Sequence, residues 1–312
     1  MWPTIVVIGA LLALSVLVNL RTSRPDGSLL RGVHPYRRLM PFVMRTRGES
    51  VVYFDLAVDA EPLCAYLERA RERFEVDVTH CIVAAAAAAL FETPEMNCFV
   101  AGRRLYRRSG RFVSFSMKRK ALDKRAKIAV VKLELRPEET FRELCARIGD
   151  AIGVERSDAR THADREYALF NLVPRPLLAA AVALFRWLDY HGLLPGSFIR
   201  DDAMYTSAFI ANLGSLKMGA GYHHLYEWGN CPLFVMAGQI EERAVVAHAA
   251  VAVRRVLPLR FSYNERIDDG LTARAGLETL RRVLEHPGEH LGCLADDGSD
   301  ARPLGEPLAI SN

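Results

Sequence analysis

Phe261-Ser262-Tyr263-Asn264-Glu265-Arg266-Ile267-Asp268-Asp269-Gly270 is the stretch whose reading decides the fold. Upstream of it, residues 244–263 read as a pair of strands that ends in Phe261-Ser262-Tyr263. Downstream, Leu271, Ala275, Leu277, Leu280 and Leu284 fall on one side of a helix expected from about residue 270 to 284. Glu265 would act as a base near neutral pH only if burial raised its pKa well above the free value of about 4.3.

Working outward, alternation and β-branched content mark a strand at 51–58, and helices are expected at about 61–74 and 79–91, the second with Thr79 as N-cap. Residues 84–89 are all alanine, which permits close helix packing and assigns them to the core. Pro94 ends that helix. Short strands at 98–101, 104–107 and 111–116 and a stronger one at 127–135 precede a helix from Pro137, suited to a first turn, to about residue 152. Residues 155–166 are polar and read as loop, strands resume at 205–211 and 233–240, and the residues after Cys293 read as a loose tail. The apolar run 174–188 is interrupted by Arg186, followed by Asp189, and is too short to span a bilayer; a buried helix is expected, with a helix lying in the membrane interface as the alternative. No internal repeat or low-complexity segment is seen.

With 312 residues and 50% hydrophobic side chains, the chain has ample material for a sizeable core. The net charge of +4 comes without a Lys/Arg stripe interleaved with aromatics, so nucleic acid is not implied as a partner. Six scattered cysteines, with no C-x-x-C pair, point to reduced thiols in a cytosolic compartment. Residues 2–20 carry no charge, and 5–18 are apolar on every helical face. A helix of that length reaches roughly 28 Å, close to the hydrocarbon thickness of a bilayer. One transmembrane anchor is therefore expected at 1–20. No Lys or Arg precedes Ile5, whereas Arg21, Arg24, Arg31, Arg37 and Arg38 follow the helix. The positive-inside rule then puts the body in the cytoplasm, on a single-pass anchor in the inner (cytoplasmic) membrane. A cleaved signal or a hydrophobic oligomerisation helix are the competing readings. Residues 21–49 read as a solvated basic juxtamembrane linker whose arginines can touch anionic headgroups.

Further stretches flank the opening one in a fixed order. They are Pro94-Glu95-Met96-Asn97, Ala211-Asn212-Leu213-Gly214, Gly238-Gln239-Ile240-Glu241-Glu242-Arg243, and Leu280-Arg281-Arg282-Val283-Leu284 with Pro287. Together they resemble the catalytic domain of the 2-oxoacid dehydrogenase acyltransferases (dihydrolipoyl acyltransferases), which shares its fold with chloramphenicol acetyltransferase. That family carries Pro-Glu-x-Asn, Ser-Asn-Leu-Gly, Gly-x-Ile-Glu-Glu-Arg and D-H-R-x-x-D-G. The resemblance covers about residues 50–293 and is weakest between 118 and 202. It implies a two-layer α/β sandwich, a mixed sheet covered by helices, in a homotrimer or larger homo-oligomer. No lipoyl or subunit-binding domain is expected ahead of it, and a place in a 2-oxoacid dehydrogenase complex is not expected.

In the family, a histidine of the C-terminal motif is the general base for the thiol or hydroxyl acceptor, and a serine hydroxyl stabilises the oxyanion. The two come from different subunits, and coenzyme A and acceptor enter from opposite ends of the channel between them. The resemblance puts Glu265 at the histidine position and Ala211 at the serine position. Arg266, Gly270, Asn212 and Gly214 match as structural motif residues, and Asp269 matches an aspartate that holds geometry through a salt bridge. Loss of a positioned base forfeits roughly 10² to 10⁴ in rate, and loss of one oxyanion donor costs about 2.7 to 4 kcal/mol.

Replacement chemistry has few sources. Tyr222-His223-His224-Leu225-Tyr226-Glu227-Trp228 offers two imidazoles, one of which Glu227 or Glu265 could orient. Ser207 shares a strand face with Ala211, beside Thr206, and Ser207 and Trp228 are candidates to line a substrate channel. Adjacent histidines without a third ligand are a weak metal signal, so no metal is assigned. A nucleophile elbow, a phosphate loop and a dinucleotide fingerprint are absent from the sequence, and His80, His162, His191 and His248 have no motif context. No covalent cofactor is expected; coenzyme A, acyl-CoA or a hydrophobic ligand is what such a site would take. Two readings stay open: a membrane-anchored acyltransferase working from a coenzyme A thioester through a rearranged site, and a catalytically inactive trimeric or cage-forming scaffold at the cytoplasmic membrane face.

Overall fold

Strand β10 (Ala250–Asn264) organises the larger of two sheets in the computed structural model, which describes residues 2–118, 128–156, 173–247 and 249–307. On one side it pairs antiparallel with β2 (Val51–Asp59), from Val256 opposite Asp59 to Asn264 opposite Val51. On the other it pairs antiparallel with β8 (Leu233–Ala237). The sheet continues through β7 (Ala208–Asn212), β5 (Phe112–Lys118) and β6 (Ile128–Glu134), in the order β2-β10-β8-β7-β5-β6. The β8–β7 and β7–β5 pairs are parallel, so the sheet is mixed. Strand β9 (Glu241–Ala247) forms a hairpin with the first part of β10. A smaller antiparallel sheet has the order β1 (Gly27–Leu29), β4 (Arg104–Arg108), β3 (Cys98–Ala101).

Alternation decides which face is covered. Leu257, Leu259, Phe261 and Tyr263 of β10 point to one side and are buried with residues of α3 (Glu61–Arg71), α4 (Val78–Glu92), α5 (Phe141–Arg156) and α8 (Gly270–Glu285). Helix α4 is buried from His80 through Leu90, which is why its sequence has no polar face. Its N-cap is Asp77 rather than Thr79: Asp77 Oδ1 accepts from the His80 N–H and His80 Nδ1 accepts from the Asp77 N–H. Gly276 lets α8 close on this layer, because a Cβ there would run into the Met96 sulfur.

Several expectations are corrected. The helix expected from Pro137 starts at Phe141, since the chain at 137–140 instead receives the C-terminal segment: Gly305 N–H donates to the Pro137 carbonyl at 2.8 Å and Leu304 N–H to that of Glu139 at 2.9 Å. Residues 294–307 are accordingly docked, with Leu294 and Leu304 buried, and 308–312 lie outside the described residues. Of the loop read at 155–166, residues 155 and 156 end α5, and 157–166 lie outside the described residues, as do His162 and His248. Helix α6 (Arg175–Tyr190) has no buried residue, which overturns the buried-helix expectation for 174–188.

Helix α1 (Trp2–Leu20) forms as expected, uncharged and largely exposed. Among the described residues no helix is long and apolar enough to cross a membrane, so the expected transmembrane anchor at 1–20 is not shown. The segment after it is exposed along much of its length but is tied to the body at buried points, Asp26, Pro41 and Arg47 among them. Arg24 Nε donates to Asp26 Oδ1 at 2.9 Å and its Nη2 to Asp189 Oδ1 at 2.8 Å, with only 2% of its side chain exposed. Asp26 in turn accepts from Asn230 Nδ2 at 2.7 Å, whose Oδ1 accepts from Arg108 at 2.7 Å. Burial opposes the charge on Arg24, but hydrogen bonds and charge from Asp26 and Asp189 outweigh it and raise its pKa.

Arg24→Ala leaves two carboxylates buried without their cation and is expected to cost about 3–5 kcal/mol. Denaturant unfolding reads this as a lower midpoint, with Arg24→Lys falling between the variant and the wild type.

Candidate active site

The pairing of β10 ends at Asn264, and Glu265 begins the turn to α8. Glu265 N–H donates to the Ser50 carbonyl at 3.0 Å while its side chain is exposed. Among the described residues its carboxylate has no hydrogen-bond or ion-pair partner. The next residues hold structure. Arg266 donates from Nε to Asn264 Oδ1 at 3.0 Å and from Nη1 to the carbonyls of Met44 at 3.1 Å and Arg45 at 3.3 Å, with burial lowering its pKa to about 10. Asp269 caps α8 by accepting from Thr272 N–H at 3.0 Å and pairs with Arg37 at 3.5 Å. Its pKa is held low first by the Thr272 N–H. Gly270 is the first residue of α8.

Ala211 lies elsewhere on the sheet. Register places it in a row with Met236 on β8 and, through Met236, with Arg260 on β10. From Arg260 to Glu265 is about 16 Å along the strand, and from β10 to β7 about 10 Å across. One protomer therefore cannot bring positions 211 and 265 to a common site. Ala211 sits on the face away from the main helices, packed beside Phe209, Phe234 and Met236.

The paired imidazoles lie over β8, between the two positions, with His223 stacked on Phe234 and its carbonyl bonded to Ser262. His224, His223, Phe234 and Phe209 form a continuous stack with centroid separations of 4.6, 4.2 and 4.7 Å. Phe209 is two residues from Ala211 on the same strand face. His223 Nδ1 is 2.7 Å from the His224 carbonyl oxygen, which can only accept, so the proton belongs on Nδ1 and Nε2 is left as an acceptor. Ser262 Oγ donates to the His223 carbonyl and fixes the loop on β10. Beside it, Tyr222 bonds Asp55, and Arg260 lies 5.5 Å from the Tyr222 ring centre and 3.3 Å from Asp55.

The remaining candidates are held in structural bonds. Glu227 accepts from Arg47 N–H at 2.7 Å and Gly48 N–H at 3.1 Å, so it seats the N-terminal segment instead of orienting an imidazole. Ser207 is fully buried and precedes β7; it donates to Asn97 Oδ1 at 2.6 Å and accepts from Phe112 N–H at 3.0 Å. Its hydroxyl has no reach to a ligand. Trp228 donates to Asp202 at 2.6 Å and packs with Phe185 of α6 and Phe198 of α7 (Gly196–Asp201), away from Ala211. Asn212 donates to Thr79 at 3.0 Å. Gly214 meets Gly238 so closely that a Cβ would lie 2.6 Å from the Gly238 carbonyl, which joins two of the motif stretches. Among the described residues no group of three potential metal ligands forms.

One ionisable residue escaped sequence reasoning. Asp268 is 7% exposed, bonded by the Tyr263 hydroxyl on one oxygen and left without a partner on the other. Burial pushes its pKa up to about 6, against the opposing pull of the Tyr263 hydrogen bond. Nothing in its sequence neighbourhood signals this, because the burial is tertiary. Asp268 binds its proton more tightly folded than unfolded, so its contribution favours the fold at low pH and is lost as pH rises from about 4 to about 6. Asp268→Asn is expected to stabilise the protein by about 2–3 kcal/mol at pH 8 and to have little effect at pH 4, read by thermal melts at the two values.

No family model and no curated protein matches the chain. Solved structures do. A probable dihydrolipoamide acetyltransferase from Listeria monocytogenes 4b F2365 shares 16% identity at a TM-score of 0.53, covering 83% of this chain and 95% of that one. The cubic core of a pyruvate dehydrogenase multienzyme complex gives 16% and 0.53, with 84% and 93% covered. The dihydrolipoamide acetyltransferase of Azotobacter vinelandii, solved to define the roles of a serine, a histidine and an asparagine in its catalytic mechanism, gives 17% and 0.53, again with 84% and 93% covered. This chain has the fold of the dihydrolipoamide acetyltransferase catalytic cores.

Proposed function

We propose that this protein is a membrane-tethered homo-oligomer of the acyltransferase fold that no longer runs a histidine–serine acyl transfer and serves as a scaffold at the cytoplasmic membrane face. One observation carries the reading. The positions that the resemblance assigns to the base and to the oxyanion donor hold an exposed carboxylate and a methyl group, and the neighbouring Ser207 hydroxyl is sealed between Asn97 and Phe112. Glu265 also has no side-chain partner among the described residues to hold it as a positioned base. The tether is α1, uncharged over its whole length and about 28 Å long. Assembly is supported by the separation of positions 211 and 265 within one protomer and by likeness to a protein that forms a cubic core.

A second reading is favoured by a specific feature. The His223 ring stacks on Phe234, one strand from Ala211, and coenzyme A thioester chemistry would be open to it if Glu265 of a neighbouring subunit faced it. The test is thiol release from acetyl-CoA with a dithiol acceptor, run beside native mass spectrometry of the detergent-solubilised protein. The scaffold reading expects a trimer or a multiple of it and background turnover that Glu265→Ala, His223→Ala and His224→Ala leave unchanged. Turnover that any of these lowers by about 10² or more contradicts it and establishes the rearranged site.

A further inference from the structure

Three helices with unpartnered apolar side chains converge on one turn. Between β3 and β4, Gly102 and Arg103 both take positive φ, 55° and 58°, which makes the connection tight. Arg104 donates to the carbonyls of Asn19 and Arg21, fixing the end of α1. Gly102 lies against the carbonyl of Tyr190, the last residue of α6, with no room for a Cβ. The Arg103 guanidinium sits 5.3 Å from the ring centre of Phe42 in α2 (Pro35–Val43). The Arg24–Asp189 pair is a second tie between the exit of α1 and α6.

Both shorter helices present apolar side chains outward. At about 100° per residue, the partly covered Leu178, Val182, Phe185 and Leu188 of α6 face the body, and the far side carries Leu177, Ala183, Leu184 and Trp187, all exposed. Its only acid, Asp189, is bound to Arg24, so Arg175 and Arg186 leave the exposed surface cationic. Helix α2 exposes Leu39, Phe42 and Val43 beside Arg37 and Arg38. Apolar side chains bordered by arginines, with a tryptophan among them, suit the headgroup level of an anionic bilayer.

We infer that this face, α6 and α2 around the Gly102–Arg103 turn, lies on the membrane surface and holds the body down against anionic lipid. The inference rests on the reading that α1 is inserted in the bilayer, because its fixed exit places the two helices beside the point of entry. α6 thereby restricts how the body can swing on its tether. A second copy of the chain is the competing occupant.

The test places a fluorophore on the full chain at Ala183→Cys or at Ala13→Cys, in a Cys64→Ser background whose remaining cysteines are buried. The protein is reconstituted in phosphatidylglycerol vesicles that contain bromine-labelled acyl chains. The expected result is loss of fluorescence at both positions, strongest at 183 when the bromine is shallow, with the loss at 183 reduced in pure phosphatidylcholine. Quenching at 13 with none at 183 overturns the inference and leaves the tether standing. No quenching at either position overturns both. Protection at 183 without quenching, together with cross-links between copies, assigns the face to self-association and also overturns it.

Discussion

The register of β10 is the constraint from which the rest of the molecule follows. Its pairing with β2 and β8 builds one side of the large sheet and closes at Asn264, so the turn carrying Glu265 falls at a fixed end of the strands. The same register places Ala211 five residues back and two strands away. A slip by one residue would turn Leu257, Leu259, Phe261 and Tyr263 out of the helix-covered core, so this geometry is held by burial of four large side chains. Any chemistry that joins positions 211 and 265 must cross a subunit boundary.

Residues that a catalytic motif would supply are turned here toward holding the N-terminal segment. Arg266 binds the carbonyls of Met44 and Arg45, Asn264 accepts from Ser50, Asp269 meets Arg37, and Glu227 seats the backbone of Arg47 and Gly48. Arg47 donates back to the carbonyls of Tyr226 at 2.9 Å and Gly229 at 2.5 Å. With the Arg24 cluster, these bonds make the segment after α1 a part of the fold. The end of α1 is thus held against the body through Arg104 and Arg24.

Much of the fold was legible because period and order agree. Alternation in 51–58 and 244–263, the all-apolar helix through 84–89 and the motif order located most strands and the covering helices. The misreadings share a cause: a local pattern does not say what lies opposite. The apolar run 174–188 fits a core or an outside surface equally, and only tertiary placement showed its far side open. Thr79 has the chemistry of a cap, but Asp77 takes that role and Thr79 bonds Asn212. At the site, motif position names Glu265 and Ala211 only as what the resemblance implies. The sealing of Ser207 by Asn97, 110 residues away, the diversion of Trp228 to Asp202, 26 residues away, and the half-bonded Asp268 depend on tertiary contacts or on burial, which sequence spacing does not carry.

The central claim is that an acyl-transfer scaffold has been kept while a carboxylate and a methyl stand where its imidazole and hydroxyl would be. A cryo-EM map of the detergent-solubilised assembly tests it most directly. The account predicts Glu265 of one subunit opposite Ala211 of the next, with no imidazole facing a hydroxyl across that boundary. A map that places His223 or His224 against a serine or threonine hydroxyl of the neighbouring subunit would contradict it.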